Sequence, residues 1–331
     1  MLGERIIQSV SRPYIVDGHQ LFVGASVGIA SGPLDGATVE TLTRSADLAL
    51  YKSKDRGGNV VAKYEASLHA QAEERRVMEQ ELRGALERGE FTLFYQPVVE
   101  AADGTLDGFE ALIRWNSAKL GNVSPAQFIP LAEDSRLIGP IGEWVLRTAC
   151  HEAMRWPTNM KVAVNVSAEQ LIDPNFATVV MSALAQSGLA PGRLEIEVTE
   201  SVFLRDGGGA AQLLDRLIAT GVRLCLDDFG TGYSSLGYLR KTRFSTIKVD
   251  RSFVQGAAKQ VPESLAIVRA VVALASSLGM STTAEGAESE LEVETIRALG
   301  CTKIQGYYYG RPMPAADVMM LFNLPESASA A

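Results

Sequence analysis

The sequence predicts a mixed α/β fold: a closed, TIM-like (β/α)8 barrel with an antiparallel first strand, preceded by a smaller, partial α/β segment. Three observations predict it. From residue 91 onward, eight short β-type runs alternate with amphipathic helical patterns, as in a barrel with crossover helices. Only residues 100–105 separate the first two runs, too few for a helix. Asp103-Gly104 within them is a hairpin signal, so the first strand runs against the second. Finally, acids, amides or a lysine recur at or near the ends of seven runs, where such barrels carry their chemistry.

The elements follow in order. Residues 1–65 read as a small α/β piece. An apolar β-type run (LFVGASVGIA) covers 21–30, and a helical pattern at 39–51 repeats Leu42, Ala46, Leu48, Ala49 and Leu50. DRGGN at 55–59 ends that helix, and Val60-Val61 begins another strand. Residues 66–88 are charged and helical, with Leu68, Met78, Leu82 and Ala85 as the apolar positions. They read either as a connecting helix or as the first helix of the next domain. We place a helical linker at 66–74, the barrel at 75–323 and a flexible tail at 324–331. The barrel strands are expected at 91–99, 106–115, 161–167, 193–199, 223–227, 246–249, 281–284 and 303–305. Helices are expected at 141–155, 176–187, 210–220, 263–278 and 291–299.

Composition narrows the function. With 331 residues, 47% of them hydrophobic, the chain suits one large domain plus a smaller piece. A net charge of -8 with no evident basic face argues against duplex binding, so no DNA partner is expected. An acidic protein that binds a phosphate ligand needs cations placed locally. Cys150, Cys225 and Cys301 are far apart without zinc spacing and read as buried thiols of a reducing, cytoplasmic compartment. No stretch is long and apolar enough for a membrane segment, and the N-terminus lacks a signal-peptide pattern. His19, His69 and His151 do not cluster, against both a zinc site and histidine-driven hydrolysis.

The chemistry centres on RLCLDDFGTGYSSL at 223–236. A short apolar run ends in Asp227 and Asp228, then a glycine- and serine-rich stretch follows. Adjacent acids at the end of a buried strand repel each other and call for a positive partner, usually a divalent cation. Alone, the pair reads equally as a solvated turn. The other strand ends add Glu110, Asn165, Glu197, Glu200, Lys248, Asp250, Glu285 and Gln305. Oxygen donors without histidine or cysteine suit Mg2+ or Mn2+. Two such ions about 4 Å apart can clamp an in-line displacement at phosphorus. Lys248 can stabilise developing phosphorane charge, orient a water, or pair with Asp250 or Glu285. Arg114 shares a strand face with Glu110, as a phosphate clamp or an ion-pair partner.

Two resemblances appear on these motifs. SADLALYKSKDRGGN at 45–59, after ASVGIA at 25–30, resembles the C-terminal half of a GGDEF domain, the diguanylate cyclase fold. The GGDEF signature is absent, and the chain starts downstream of the strands expected before it. The cyclase site is therefore not expected to assemble, although Lys54 matches a lysine that family uses near phosphates. Residues 75–323 resemble an EAL domain, the cyclic di-GMP phosphodiesterase family. The motifs are YQPVV at 95–99, EALIRW at 110–115, PAQFIPLAE at 125–133, NVS at 165–167 and EVTES at 197–201. DDFGTGYSSL at 227–236, IKVD at 247–250, AEGAES at 284–289 and QGYYYGRPMP at 305–314 complete the set.

The resemblance implies roles. Glu110, Asn165, Glu197 and Asp227 match the ligands of a first metal. Asp227 and Asp228, with Glu285 largely through water, match the surroundings of a second. Lys248 matches the lysine that holds the attacking water, and Glu200 the acid that anchors the loop 229–236. Gln96, Arg114, Asp250 and Gln305 match positions lining the dinucleotide pocket, and Glu288 a second polar residue of the AEG motif. Ala287 stands where valine is usual, and Asn116-Ser117 where His or Arg often follows the tryptophan; neither removes a ligand. The implied activity is hydrolysis of cyclic di-GMP to linear 5′-pGpG with two Mg2+ or Mn2+ ions, in a homodimer formed through the EAL domain. The alternative is a catalytically silent cyclic di-GMP receptor, which usually lacks some ligands that this chain retains. A different magnesium-dependent barrel enzyme acting on a carbonyl substrate, or a ligand-free scaffold, fits the motifs less well.

Overall fold

The computed structural model describes residues 2–55, 57–205, 209–230 and 242–323. The expected tail at 324–331 and most of the expected loop at 229–236 lie outside the described residues. The chain divides into two compact units, 1–82 and 83–331.

The first unit opens with a helix, Leu2–Val10, and a hairpin in which Tyr14–Val16 pairs antiparallel with His19–Leu21. Asp17 and Gly18 make its turn with φ of 49° and 79°, the left-handed pair a tight hairpin requires. Val27–Ile29 then pairs in parallel with Val61–Lys63, and the helix Val39–Asp55 connects them. The run at 21–30, expected as one strand, is therefore broken. The Asp17-Gly18 turn takes Leu21 into the hairpin, and strand resumes only at Val27. The core here is small: Ala49, Ala62 and Leu68, with Leu48 and Tyr64 against it. Ile15 and Phe22 are 79% and 74% exposed. The charged pattern at 66–88 forms one helix, Ser67–Ala85.

The second unit is an eight-stranded closed barrel. Its strands are β1 (Phe91–Glu100), β2 (Leu106–Ser117), β3 (Lys161–Asn165), β4 (Leu194–Thr199), β5 (Arg223–Phe229), β6 (Thr246–Val249), β7 (Ser281–Glu285) and β8 (Lys303–Gln305). β2 through β8 pair in parallel in chain order. β1 closes the sheet, antiparallel to β2 on one side and to β8 on the other. The short connection at Asp103-Gly104 dictates that reversal, because a parallel return needs a crossover of a dozen or more residues.

Helices cover the outside because their apolar stripes match the branched residues on the outer strand faces. Ile138–Ala153 buries Ile141, Val145, Leu146 and Ala149, and β3 buries Val162 and Val164. The ends of Phe176–Ser187 fall where the sequence predicts; the other predicted helices shift by one to three residues. Sequence reasoning did not predict the strand Gly121–Val123, which pairs antiparallel with the end of β2, or the helix Arg251–Ala258 after β6. No helix among the described residues is long and apolar enough to cross a membrane.

Candidate active site

Because β2 through β8 run in parallel, their carboxyl ends deliver side chains to one face of the barrel. At its centre is Lys248 of β6, 2% exposed. Its Nζ lies 2.6 Å from Glu285 Oε1 and donates to Glu197 Oε2 at 2.9 Å. It is 3.5 Å from Glu110 Oε2 and 3.6 Å from Asp227 Oδ1. Four carboxylates from four strands thus meet one ammonium. Amides complete the ring: Asn165 Nδ2 donates to Glu110 Oε1 at 2.5 Å, and Gln305 Nε2 to Glu110 Oε2 at 2.6 Å. Gln305 Nε2 also donates to Gln96 Oε1 at 3.2 Å, and Gln96 Nε2 to the Gly310 carbonyl at 3.2 Å.

Consecutive residues of a strand normally face opposite sides, so Asp227 and Asp228 need a device to share one site. The device is local. Asp228 has a left-handed backbone, φ 55°, and the β5–β6 register shifts between Leu226 and Phe229. Carboxylate oxygens of Asp227, Asp228 and Glu285 consequently lie within 4.8 Å of one another. Asp228 N–H donates to Asp227 Oδ1 at 2.9 Å, and Gly230 N–H to Glu200 Oε1 at 3.2 Å.

The electrostatics record an excess of acid. Burial pushes Glu285 up to about 8 against the pull of Lys248, and the Asp227 and Glu110 carboxylates add to the rise. Burial also carries Glu197 well above the carboxylate range, despite Lys248, with Glu110 and Asp227 contributing. Asp228 is raised by burial and by Asp227. Glu110 is lowered: burial opposes its ionisation, but Lys248, Gln305 and Asn165 outweigh it. Burial works against the Lys248 charge, and Asp227, Glu110, Glu197 and Glu285 overcome it. Such a cluster is suited to added positive charge, and its oxygen donors fit hard divalent cations. Asp227, Asp228 and Glu285 form one group able to hold an ion. Beside it, Glu110, Glu197 and Asp227 meet at Lys248 Nζ, and Asn165 donates to Glu110.

The remaining expected residues sit around this centre with partners of their own. Asp250 caps the helix Arg251–Ala258, accepting from Ser252 N–H at 2.9 Å and from its hydroxyl. Glu288 pairs with Arg251 at 2.9 Å and donates its N–H to Glu292 at 2.6 Å. Arg114 lies over the Phe94 ring, 5.4 Å from its centroid, and donates to the Ile113 carbonyl at 2.9 Å. Arg251 and the Gly310 carbonyl escaped sequence reasoning. Neither has a pattern of its own, and both become relevant only when strand ends meet.

The fold and the site define a (β/α)8 barrel with a buried acidic, oxygen-donor centre at the carboxyl ends of its strands. Residues 79–312 match the family described as EAL domain, and residues 2–60 that described as diguanylate cyclase, GGDEF domain. The chain belongs to the EAL domain family, with a partial GGDEF domain ahead of the barrel. It is 42% identical over 322 residues to the bifunctional diguanylate cyclase/cyclic di-GMP phosphodiesterase MucR of Pseudomonas aeruginosa, covering 96% of this chain and 47% of that protein. It is 38% identical to the cyclic di-GMP phosphodiesterase NbdA of the same organism, covering 96% of this chain and 41% of that protein. Among solved structures it is similar to the PaMucR phosphodiesterase in complex with c-di-GMP. That match has 43% identity and a TM-score of 0.70, covering 73% of this chain and 99% of that one. The chain spans less than half the length of these two curated relatives.

Proposed function

We propose that this chain hydrolyses cyclic di-GMP to linear 5′-pGpG with two divalent cations, Mg2+ or Mn2+. The observation that carries the reading is the convergence of four carboxylates on Lys248, with the Asn165 and Gln305 amides donating to one of them, in a barrel similar to one solved with c-di-GMP bound. Glu110, Asn165, Glu197 and Asp227 would hold one ion, and Asp227 and Asp228, with Glu285 largely through water, the other. When bound, the ions would polarise the phosphoryl group and make water a competent nucleophile at neutral pH. Water adds to phosphorus in line with the departing ribose 3′ oxygen; the P–O3′ bond breaks and the phosphate stays on the 5′ side. The Lys248 ammonium orients that water and meets the charge that builds on phosphorus. Gln96, Arg114, Asp250, Glu288 and Gln305 line the dinucleotide pocket. Glu200 steadies the loop after β5 through Gly230 N–H.

This reading assigns residues 1–65 to a GGDEF-like segment without cyclase activity, 66–74 to a linker and 75–323 to the phosphodiesterase. It also has two copies pairing near the loop after β5, which sedimentation would show. The central test incubates the purified chain with cyclic di-GMP and separates the nucleotides. Linear dinucleotide should form with Mg2+ or Mn2+, poorly with Ca2+, and not in excess chelator. Tight binding without product over hours would make the barrel a receptor; full turnover in chelator would end the two-metal mechanism.

A further inference from the structure

Two of the sequence motifs meet at a hydrogen bond outside the acidic centre. PAQFIPLAE ends at Glu133, in the last turn of the helix Pro125–Asp134, and NVS ends at Ser167, two residues beyond Asn165. Ser167 Oγ donates to Glu133 Oε1 at 2.5 Å. A carboxylate in the last turn of a helix is disfavoured by that helix's own dipole, so its placement there calls for a partner elsewhere. A serine hydroxyl has one proton, and Glu133 takes it. The oxygen is left to accept, and Glu169 N–H donates to it at 3.2 Å, capping the helix Ala168–Ile172. Ser167 N–H donates to Gln170 Oε1 at 3.2 Å, the other half of a capping box. Gln170 is itself packed on the helix Ile138–Ala153, where a Cβ on Gly142 would lie 2.0 Å from its Nε2. Ser167 is thus fixed at both its N–H and its hydroxyl.

The segment so fixed carries Asn165. On the β4 side, Val166 N–H donates to the Glu197 carbonyl at 2.9 Å. A cavity of about 350 Å3 adjoins the segment, with Asn165, Ser167 and Glu133 in its lining. Asn165 is exposed. Packing does not lock an exposed side chain beside a cavity; its angle depends on the main chain that carries it and on the bonds it makes. We propose that Glu133 is a positioning residue for Asn165: by accepting the Ser167 proton it sets the main chain leaving β3, and so the angle at which the Asn165 amide reaches Glu110. An effect on metal affinity rests on the proposed function, in which Asn165 is a ligand; the positioning of its amide does not.

Two measurements separate these. In the metal-free protein, the side-chain amide resonance of Asn165, identified by its loss in Asn165→Ala, should move in Glu133→Ala and in Ser167→Ala. It should return to its wild-type position in Glu133→Gln, whose carbonyl oxygen can still accept from Ser167. A resonance unmoved in both alanine variants overturns the proposal whatever the barrel hydrolyses. In calorimetric titrations, Glu133→Ala should bind Mn2+ about tenfold more weakly than wild type, and Glu133→Gln should stay near it. Added to Asn165→Ala, Glu133→Ala should cost nothing further, because a residue that acts through another is silent once the other is gone. An equal loss in both backgrounds would make Glu133 a structural residue and overturn the positioning role. If Glu133→Ala does not fold, Ser167→Ala carries the same comparison. If the resonance moves as expected while wild type binds no Mn2+, the positioning stands and the proposed function falls.

Discussion

The barrel interior carries two charged clusters, one at each end, and β2, β4 and β5 contribute an ionisable side chain to both. At the amino-terminal ends of the parallel strands, Asp107 accepts from Lys161 at 2.5 Å and Lys303 at 2.7 Å, and Arg223 donates to Glu195 at 3.1 Å. With Glu100 nearby, three acids meet three bases. Burial works against the Asp107 carboxylate, yet the two lysines hold it below its usual range. At the opposite end, among the described residues, Glu110, Glu197, Asp227 and Glu285 meet Lys248 as their one cation, with Asp228 beside Asp227 and Glu285. A buried charge must be compensated wherever it lies. The lower cluster compensates itself and is explained as structure. The upper one leaves acid in excess, which the raised Glu197, Asp228 and Glu285 record and which added positive charge would relieve.

That contrast can be broken, most sharply at Lys248. Lys248→Ala should lower single-turnover rates by about a thousandfold or more and leave cyclic di-GMP affinity, read with Ca2+, within about tenfold. Turnover like wild type would place Lys248 with the structural lysines of the other end. Asp107→Ala should do the reverse. It strands two ammoniums, one of them buried, and should lower stability by about 3 kcal/mol in urea unfolding, while folded enzyme keeps its rate. A matching loss of rate would show that the two ends are not independent. Glu200→Ala should weaken Mn2+ binding and slow turnover by about tenfold with little change in the unfolding midpoint, because it loses a bond that holds Gly230 in the loop after β5. Unchanged rate and metal affinity would remove the anchoring role.

The smallest effect concerns Glu90, another acid fully provided for. Arg88 pairs with it at 2.8 Å, Trp115 Nε1 donates at 2.9 Å and Ala118 N–H at 3.3 Å. Arg88 above all holds its carboxyl down to about 2, against an ordinary value of 4.5. A lowered folded-state value stabilises the fold fully above pH 4.5 and is lost as pH falls through that value towards 2. Urea midpoints of wild type and Glu90→Gln should therefore converge across that interval; a constant gap would show that the charge contributes nothing.

The sequence carried most of the fold because periodicity and turn chemistry report local structure. The strands Thr246–Val249 and Lys303–Gln305 coincide with the β-type runs that predict them, and Asp103-Gly104 predicts the reversed β1. The hairpin at Tyr14–Leu21 was equally available in Asp17-Gly18, but the apolar run beside it reads as one longer strand. The barrel floor was not legible. Asp107, Lys161, Glu195 and Lys303 each stand near a strand start, where a charge ordinarily reads as solvated, and only closure of the sheet brings them together, with Glu195 and Lys303 buried and Asp107 and Lys161 partly so. The same holds for Gln305, which reads as a pocket residue and proves also to donate to Glu110.

The left-handed backbone at Asp228 has a consequence for anyone probing this site by mutagenesis. Alanine there would delete a carboxylate and also put at φ 55° a residue that adopts the left-handed region less readily than aspartate. A scan to alanine would credit the lost charge with damage done by a relaxing chain. Asparagine tolerates the same conformation and keeps the shape, so the difference between Asp228→Asn and Asp228→Ala isolates what the bend itself contributes. In this loop the shape of the main chain is part of the chemistry, and it is inherited through the few residue types that can adopt it.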